Sequence, residues 1–486
     1  MYRLTIDAMR PRNQTGSDPL AAALARRSAA SAADLAAQLG VSIATLHRLL
    51  PALSNRLLVT GKARRTRYAL RRPLRGDLSG LPLYALDPAG RAEQVSHLAA
   101  VHPQGTWMDL ANLGWPVPDE SRDGWWDGLP YPLYDMQPNG YMGRQVALAW
   151  HHRLGVAASP SEWGDDDILQ VLSNAGADVS GNLILGNPAF EQWQASRLAP
   201  PEPVPAAALG AAYLRLAEAA VASGVPGSSA VGEFPKFTAL RDLAGSRTPH
   251  VLVKFSGADG SPTVQRWADL LVCEHLALGF AATLPGVQAA QSRIVIEGGR
   301  TFLELERFDR QGLFGRSPLL SLSTVAAALL GDVSADWSRL AAQLAAAGWL
   351  GADDVLRVQH LGWFGRLIAN TDMHPGNLSL RPSATVADLD KRRTARGMAS
   401  AGRLALAPTY DMLPMGYAPL PGGELPAWQF QPPLPLPPQR VVWAAACTAA
   451  IGLWQAASLD QRISPGFRQL CAANAQQLAR LAEGIL

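Results

Sequence analysis

Between Leu198 and Gly210 the chain reads LAPPEPVPAAALG, with prolines at 200, 201, 203 and 205. Proline holds φ near about −65° and has no N–H, so neither a helix interior nor a central strand can pass through such a run. The fold must break here, and the segment is expected to be a linker. A chain of 486 residues is roughly three times a 150-residue domain, so two or three domains are expected in any case. Hydrophobic residues at 48% and charged residues at 17% exclude a disordered chain.

Charge is distributed unevenly. The net value is +3, but residues 1 to 75 hold 14 Lys plus Arg against Asp7, Asp18 and Asp34, which is +11 and leaves −8 for the rest. Such asymmetry points to a polyanion partner for the first part of the chain. Cys273, Cys447 and Cys471 have neither an even count nor metal-site spacing, so no disulfide framework is implied and buried thiols in a reducing cytosol are expected. The N-terminus lacks the apolar core of a signal peptide, and charges are expected to interrupt the Ala-rich stretches below membrane-spanning length. A soluble, cytoplasmic protein without a membrane partner is expected.

Within the basic segment, Ser31 and Asp34 flank a helix start, Leu35 and Leu39 recur at helical spacing, and Gly40 fits a stop. Ser42 can cap a second helix carrying Ile43, Leu46, Leu49, Leu50 and Leu53 on one face. RLLVTGKARRTRYAL then reads as a hairpin with a basic tip. Helix, glycine turn, helix and hairpin together resemble a winged helix-turn-helix over residues 1–77. In that arrangement Ser42, Thr45 and Arg48 face base edges, while Lys62, Arg64, Arg65 and Arg67 contact phosphates of duplex DNA. The plainer reading is a small helical domain with a solvated basic loop. From 78 to 200 the chain is rich in Trp, Pro and Gly. SRDGWWDGLPYPLYDMQPNGYMGR reads mostly as turns with Trp125 and Trp126 as core anchors, and Asp165 to Asp167 precede an apolar helix.

Four clusters past the proline run carry chemistry. GVPGSSAVGEFPKFTAL has the small residues that let backbone N–H groups approach a phosphate, with Lys236 as a point charge. HVLVKFSG buries Lys254 in an apolar strand, where its charge needs a partner. Glu274 is the candidate, Asp269 the rival, and snorkelling to solvent the plain alternative. RTFLELERFDR is a strand turning polar at Glu306, where a nucleotide base could meet backbone at Glu306 to Phe308; Arg307 and Asp309 read as a surface pair. Finally, Asp372 and Asn377 stand five residues apart in LIANTDMHPGNLSL, and RLALAPTYDMLPM delivers Asp411. A carboxylate near an acceptor hydroxyl, and an amide plus a second carboxylate for Mg²⁺, are what phosphoryl transfer requires.

In their order, SSAVGEFPKF, VLVKF, ERFDR, NTDMHPGN and APTYDMLP resemble the HipA-type serine/threonine kinases of bacterial toxin–antitoxin systems, over about residues 165 to 486. With the head in front, the chain resembles the YjjJ subgroup, whose members carry their own DNA-binding domain. The resemblance implies an α+β, two-lobed protein-kinase-like fold, with a small lobe at 78–310 and a mostly helical large lobe at 311–486. It implies Asp372 as the catalytic residue. Gly232, Lys236, Lys254, Glu306, Phe308 and His374 lie at ATP, and Asn377 and Asp411 lie at Mg²⁺. Ser229 or Ser228 is then an autophosphorylation site, and an aminoacyl-tRNA synthetase is the expected class of protein target. A homodimer on DNA is compatible with it. Gly376 brings the loop closer to phosphotransferases acting on small alcohols, so a small-molecule kinase stands as an alternative. A DNA-binding regulator that only senses nucleotide is another.

Overall fold

The computed structural model describes residues 17–111, 113–222, 234–383, 404–427 and 429–485, and within them the chain forms two compact units of mixed α+β structure. The first comprises residues up to 82 together with 96–110 and 119–130. It starts with α1 (Ser17–Leu24), α2 (Ala32–Leu39) and α3 (Ile43–Leu49). Both expected caps form: the Ser31 hydroxyl accepts from Asp34 N–H while Asp34 accepts from Ser31 N–H at 3.2 Å, and the Ser42 hydroxyl accepts from Thr45 N–H at 3.1 Å. Gly40 ends α2 in the left-handed region at φ 65°. Leu20, Leu24, Leu35, Leu46, Leu50 and Tyr68 make the core. Ile43, expected on that face, is half exposed because the apolar stripe of α3 starts one turn later at Leu46.

The hairpin forms as read. β1 (Leu57–Thr60) pairs antiparallel with β2 (Arg67–Leu70), from Leu57 opposite Leu70 to Thr60 opposite Arg67. Gly61 has φ 74°, and a Cβ there would lie 2.3 Å from the Arg65 carbonyl oxygen, so the basic tip can close this tightly only over glycine. One face of the hairpin, Leu58 and Ala69, packs on Ala99, Val101, Trp107 and Trp125. These residues lie in or next to β4 (Ala92–Ala100), β5 (Thr106–Trp107) and β6 (Trp125–Trp126), which follow β3 (Leu81–Leu86), with Val101 just past the end of β4. Trp126 is buried and its indole donates to the Met108 carbonyl at 3.0 Å, as a core anchor would.

In the second unit, α4 (Tyr131–Met136) and α5 (Gly140–Leu154) occupy a stretch expected to be mostly turn. They are followed by α6 (Asp165–Ala175), β7 (Leu183–Leu185) and α7 (Asn187–Leu198). The proline run does not behave as a linker. Val204–Pro205 is a short strand, β8, parallel to β9 (Lys236–Asp242), and α8 (Leu209–Ala222) follows at once. Proline is tolerated because β8 is the edge of a five-stranded sheet ordered β11-β12-β10-β9-β8. The remaining strands are β10 (His250–Phe255), β11 (Ser292–Glu297) and β12 (Arg300–Glu306). Tyr213, Phe237, Val251, Val253, Phe255 and Phe302 fill the layer between this sheet and α8, and α9 (Pro262–Ala281) packs on β11 and β12.

Two short pairs, β13 (Arg310–Gln311) with β14 (Gly315–Arg316) and β15 (Leu320–Ser321) with β16 (Ser379–Pro382), lead into helical structure. β17 (Leu404–Leu406) pairs with β16. The helices are α10 (Leu322–Leu330), α11 (Trp337–Ala346), α12 (Ala352–Leu367), α13 (Arg440–Leu459) and α14 (Pro465–Ile485). Contrary to expectation, Pro437–Leu459 is long and apolar enough to cross a membrane, and from Val441 onward it carries no charge. Half of that window is buried; α13 packs on α9, α12 and α14, with Trp443 and Trp454 fully covered.

Candidate active site

Strand β10 presents Lys254 at the register position facing Leu303 of β12 and Lys236 of β9. The ammonium is 4% exposed and donates to both carboxylate oxygens of Glu274, at 2.8 Å each, and to Asp411. Three distant parts of the chain, a strand, helix α9 and the loop after β17, thus converge on one cation. Asp269, the rival partner, instead accepts from the Ser464 N–H and hydroxyl at 2.7 and 2.6 Å. Burial opposes the charge on Lys254, but Asp411 and Glu274 outweigh it and hold the amine above its ordinary value. Burial dominates at Glu274 and pushes its carboxyl up despite Lys254. At Asp411, Lys254 and then Lys236 outweigh burial and keep the carboxyl below the usual range. Two carboxylates around one ammonium leave a surplus negative charge, which Lys236 moderates.

The two polar loops are joined through backbone that ordinary residues seldom adopt. Ala369 has φ 61° and Asp411 φ 57°, a left-handed conformation that costs about 1–3 kcal/mol and marks functional sites when the surroundings enforce it. Gly416 N–H donates to the Ala369 carbonyl at 2.9 Å. Asn370 Nδ2 donates to the Asp411 carbonyl at 3.3 Å while its Oδ1 accepts from Asp372 N–H at 3.0 Å. Asn377 Nδ2 in turn donates to the Asp372 carbonyl at 2.9 Å, and Trp454 holds the end of α12 by donating to the Leu367 carbonyl at 3.1 Å. Asn370 was missed in the sequence; its only signal was an amide two residues before Asp372.

The Asp372 carboxylate is half exposed, with His374 Nε2 at 3.8 Å. His374 Nδ1 accepts from Gly376 N–H at 3.1 Å, and its ring is turned outward at 58% exposure. Asn377 is buried, and its Oδ1 accepts no hydrogen bond among the described residues. Tyr410 donates to the Gly376 carbonyl at 3.0 Å and accepts from Ser379 at 2.7 Å, bracing the loop from behind. Among the described residues no cluster of three His, Cys, Asp or Glu could hold a metal unaided. Asp411 and the open Oδ1 of Asn377 fit a cation that keeps most of its ligands as water and phosphate, the habit of Mg²⁺.

Above Lys254 lies a cleft of about 650 Å³, lined by Lys236, Leu252, Ala290, Phe308, Gly376 and Asp411 among others. Met136, Met142 and Val146, from α4 and α5, form part of its wall. Asp372, His374 and Asn377 are not part of that lining. The Glu306 carboxylate is committed to Arg241 and to the Arg247 N–H, at 3.3 Å each, and its N–H donates to the Gln291 carbonyl at 2.8 Å, so only its carbonyl is left for a ligand. Phe308 N–H donates to no acceptor among the described residues, and its ring lies 5.8 Å from that of Tyr410. Arg307 and Asp309 are not a surface pair. With Arg310 they form a network to Asp178, which no local pattern revealed, because Asp178 lies far upstream. Two arginines hold the Asp309 carboxyl at about 2 in spite of burial.

Lys62, Arg64 and Arg65 are exposed at the hairpin tip in the first unit, and Arg67 is half-buried. Ser42, Thr45 and Arg48 form one hydrogen-bonded row, Ser42 to Thr45 at 3.0 Å and Arg48 to Thr45 at 3.1 Å. Gly232, Ser228 and Ser229 lie outside the described residues.

Family models match in chain order: the middle domain of YjjJ-like toxins over residues 78–194 and the HipA-like C-terminal domain over residues 228–432. Toxin YjjJ of Escherichia coli K12 is 33% identical over 460 residues, covering 94% of this chain and 96% of that protein. Two solved structures are distant. One, of the Shewanella oneidensis HipA, HipB and operator DNA complex, has TM-score 0.47 and 14% identity, covering 82% of this chain and 96% of the other. The other, the Helicobacter pylori proinflammatory kinase CtkA, has TM-score 0.27 and 11% identity, covering 51% and 88%. Both scores lie below 0.5, so neither likeness bears on the fold. The end-to-end relative and the two domain matches agree with the ERFDR and TDMHPGN loops: this chain belongs to the YjjJ-like family of HipA-type toxins.

Proposed function

We propose that the chain is an ATP-dependent serine/threonine-protein kinase with a DNA-reading head. The observation that carries this is Lys254 bridging Glu274 and Asp411 beneath the cleft. In this reading Lys254, fixed by Glu274, holds the α- and β-phosphates of ATP. The purine lies against Phe308 and the backbone at Glu306 to Phe308. Asp411 and the Asn377 Oδ1 hold Mg²⁺, which neutralises the charge on the phosphates when bound. Asp372 takes up or orients the proton of the acceptor hydroxyl. Its half-exposed position outside the cleft's lining favours a hydroxyl on a protein over a small alcohol that must be enclosed. An aminoacyl-tRNA synthetase is the target class we carry over from the resemblance, with Ser228 or Ser229 as the self-acceptor.

The row Ser42, Thr45 and Arg48, together with a hairpin tip carrying Lys62, Arg64 and Arg65, supports duplex DNA as the partner of residues 1–77. The test of the kinase reading is labelling of a bacterial lysate with γ-³²P-ATP by the native chain and by Asp411→Asn. A labelled protein band that disappears in the variant supports it. Label on a small molecule alone would move the chain to the small-alcohol kinases, and no transfer would leave a nucleotide-sensing DNA regulator.

A further inference from the structure

A second cavity, of about 370 Å³, is lined by Trp193, Ser196, His250, Phe314, Arg310 and Arg316, with Asp178 on its wall. Its size is that of sites for small metabolites. The charges beside it do not balance. Arg307 and Arg310 each pair with both Asp178 and Asp309, at 2.6 to 3.1 Å. Arg316 is the third guanidinium of the group and has no share in them.

Arg316 is 5% exposed. Its Nη2 donates to the Ala177 carbonyl at 2.6 Å, and among the described residues its Nη1 has no hydrogen-bond partner and no carboxylate lies within 4.0 Å of it. Three guanidiniums against two carboxylates leave one positive charge uncompensated in a largely desolvated place, which is costly unless a counter-ion arrives. Burial and the neighbouring Arg310 push the Arg316 guanidinium down to about 9, so it is still a cation at neutral pH. His250 adds no charge of the other sign: its Nε2 meets the Leu313 carbonyl at 2.8 Å, and burial lowers its pKa. Trp193, Leu313 and Phe314 give the lining its apolar and aromatic part. Arg197 stacks over the rings of Trp193 and Phe314, at 5.2 and 5.5 Å, adding a second cation with no ion pair among the described residues.

We propose that this cavity binds a small organic monocarboxylate, its charge beside Arg316 and its apolar body against Trp193 and Phe314. One negative charge matches the buried surplus at Arg316, since Arg197 is exposed and solvent compensates its charge. Asp178 on the wall opposes a second, which sets a carboxylate above a phosphate monoester.

The test is ¹⁹F NMR of the full-length protein with 4-fluorobenzoate, 4-fluorobenzamide and 4-fluorophenyl phosphate as probes. Saturable broadening of the benzoate is expected, at least tenfold stronger than for the neutral amide and stronger than for the phosphate. Arg316→Gln should weaken benzoate at least tenfold, and Arg316→Lys should retain it. Ser196→Phe fills the cavity without touching a charge, and should abolish binding with an unchanged circular dichroism melt; it decides the matter alone should Arg316→Gln not fold. Benzoate binding that survives Ser196→Phe, equal binding of the amide, preference for the phosphate, or no benzoate binding would overturn the proposal.

Discussion

Replacing Lys254 by Met tests the charge arrangement at the centre of the site. The substitution keeps the volume of the stem but leaves Glu274, 0% exposed, and Asp411 facing each other without their shared cation. Removing one partner of a buried ion pair costs about 3–5 kcal/mol, against a whole-domain stability of about 5–15 kcal/mol, so α9 should open far more readily. The loss should depend on pH. Burial and the remaining Asp411 charge both raise Glu274, so its folded pKa exceeds its unfolded one near about 4.3. Stability from such a group is complete below the unfolded value and is lost as pH rises through the folded value. The deficit in Lys254→Met is therefore larger at pH 7.5 than at pH 5. Amide hydrogen exchange of the peptide spanning α9, read as an opening free energy at both pH values, measures it. Native-like protection at pH 7.5, or a deficit that is equal at both, would refute the reasoning.

Asp372→Asn keeps size and hydrogen bonding but removes a proton acceptor, so transfer should fall at least a hundredfold while ATP binding, measured by calorimetry, is unchanged. Asn370→Ala removes the side chain that holds the Asp372 N–H and donates to the Asp411 carbonyl, leaving the Gly416 to Ala369 bond in place; kcat should fall with little change in KM for ATP, the signature of a positioning residue, and an equal loss in KM would contradict it. For the head, full-length protein should bind duplex DNA with affinity falling steeply with salt, and Arg64→Ala should lower the slope of log K against log salt by about 1. An unaltered slope in fluorescence anisotropy would exclude a phosphate contact at that residue.

What could be read in advance was local. Ser31, Asp34, Gly40 and Ser42 act on backbone within four residues, so their caps and the ends of α2 and α3 follow from spacing alone. Lys254 announced itself as a charge inside an apolar strand, and an apolar helix with Glu274 twenty residues on could be matched to it. The remainder depends on contacts distant in sequence. The four prolines forbid a central strand but not an edge, and only the pairing of Val204 with Arg241 and of Pro205 with Asp242 brings the end of the run into the sheet. Arg307 and Asp309 look solvated until Asp178, about 130 residues earlier, is brought beside them. Met136, Met142 and Val146 sat in a stretch without clear periodicity, so nothing marked them as a wall of the cleft.

The fate of the γ-phosphate measures the central claim most directly. Purified protein and lysate are incubated with γ-³²P-ATP, with and without Mg²⁺, and ADP formed is balanced against label held in protein, for native, Asp372→Asn and Asp411→Asn chains. Equal amounts of ADP and protein-bound label in the native sample, dependent on Mg²⁺ and lost in both variants, are predicted. Label remaining in ATP throughout, or transfer that persists in Asp411→Asn, would contradict a phosphoryl-transfer site built on Lys254, Glu274 and Asp411.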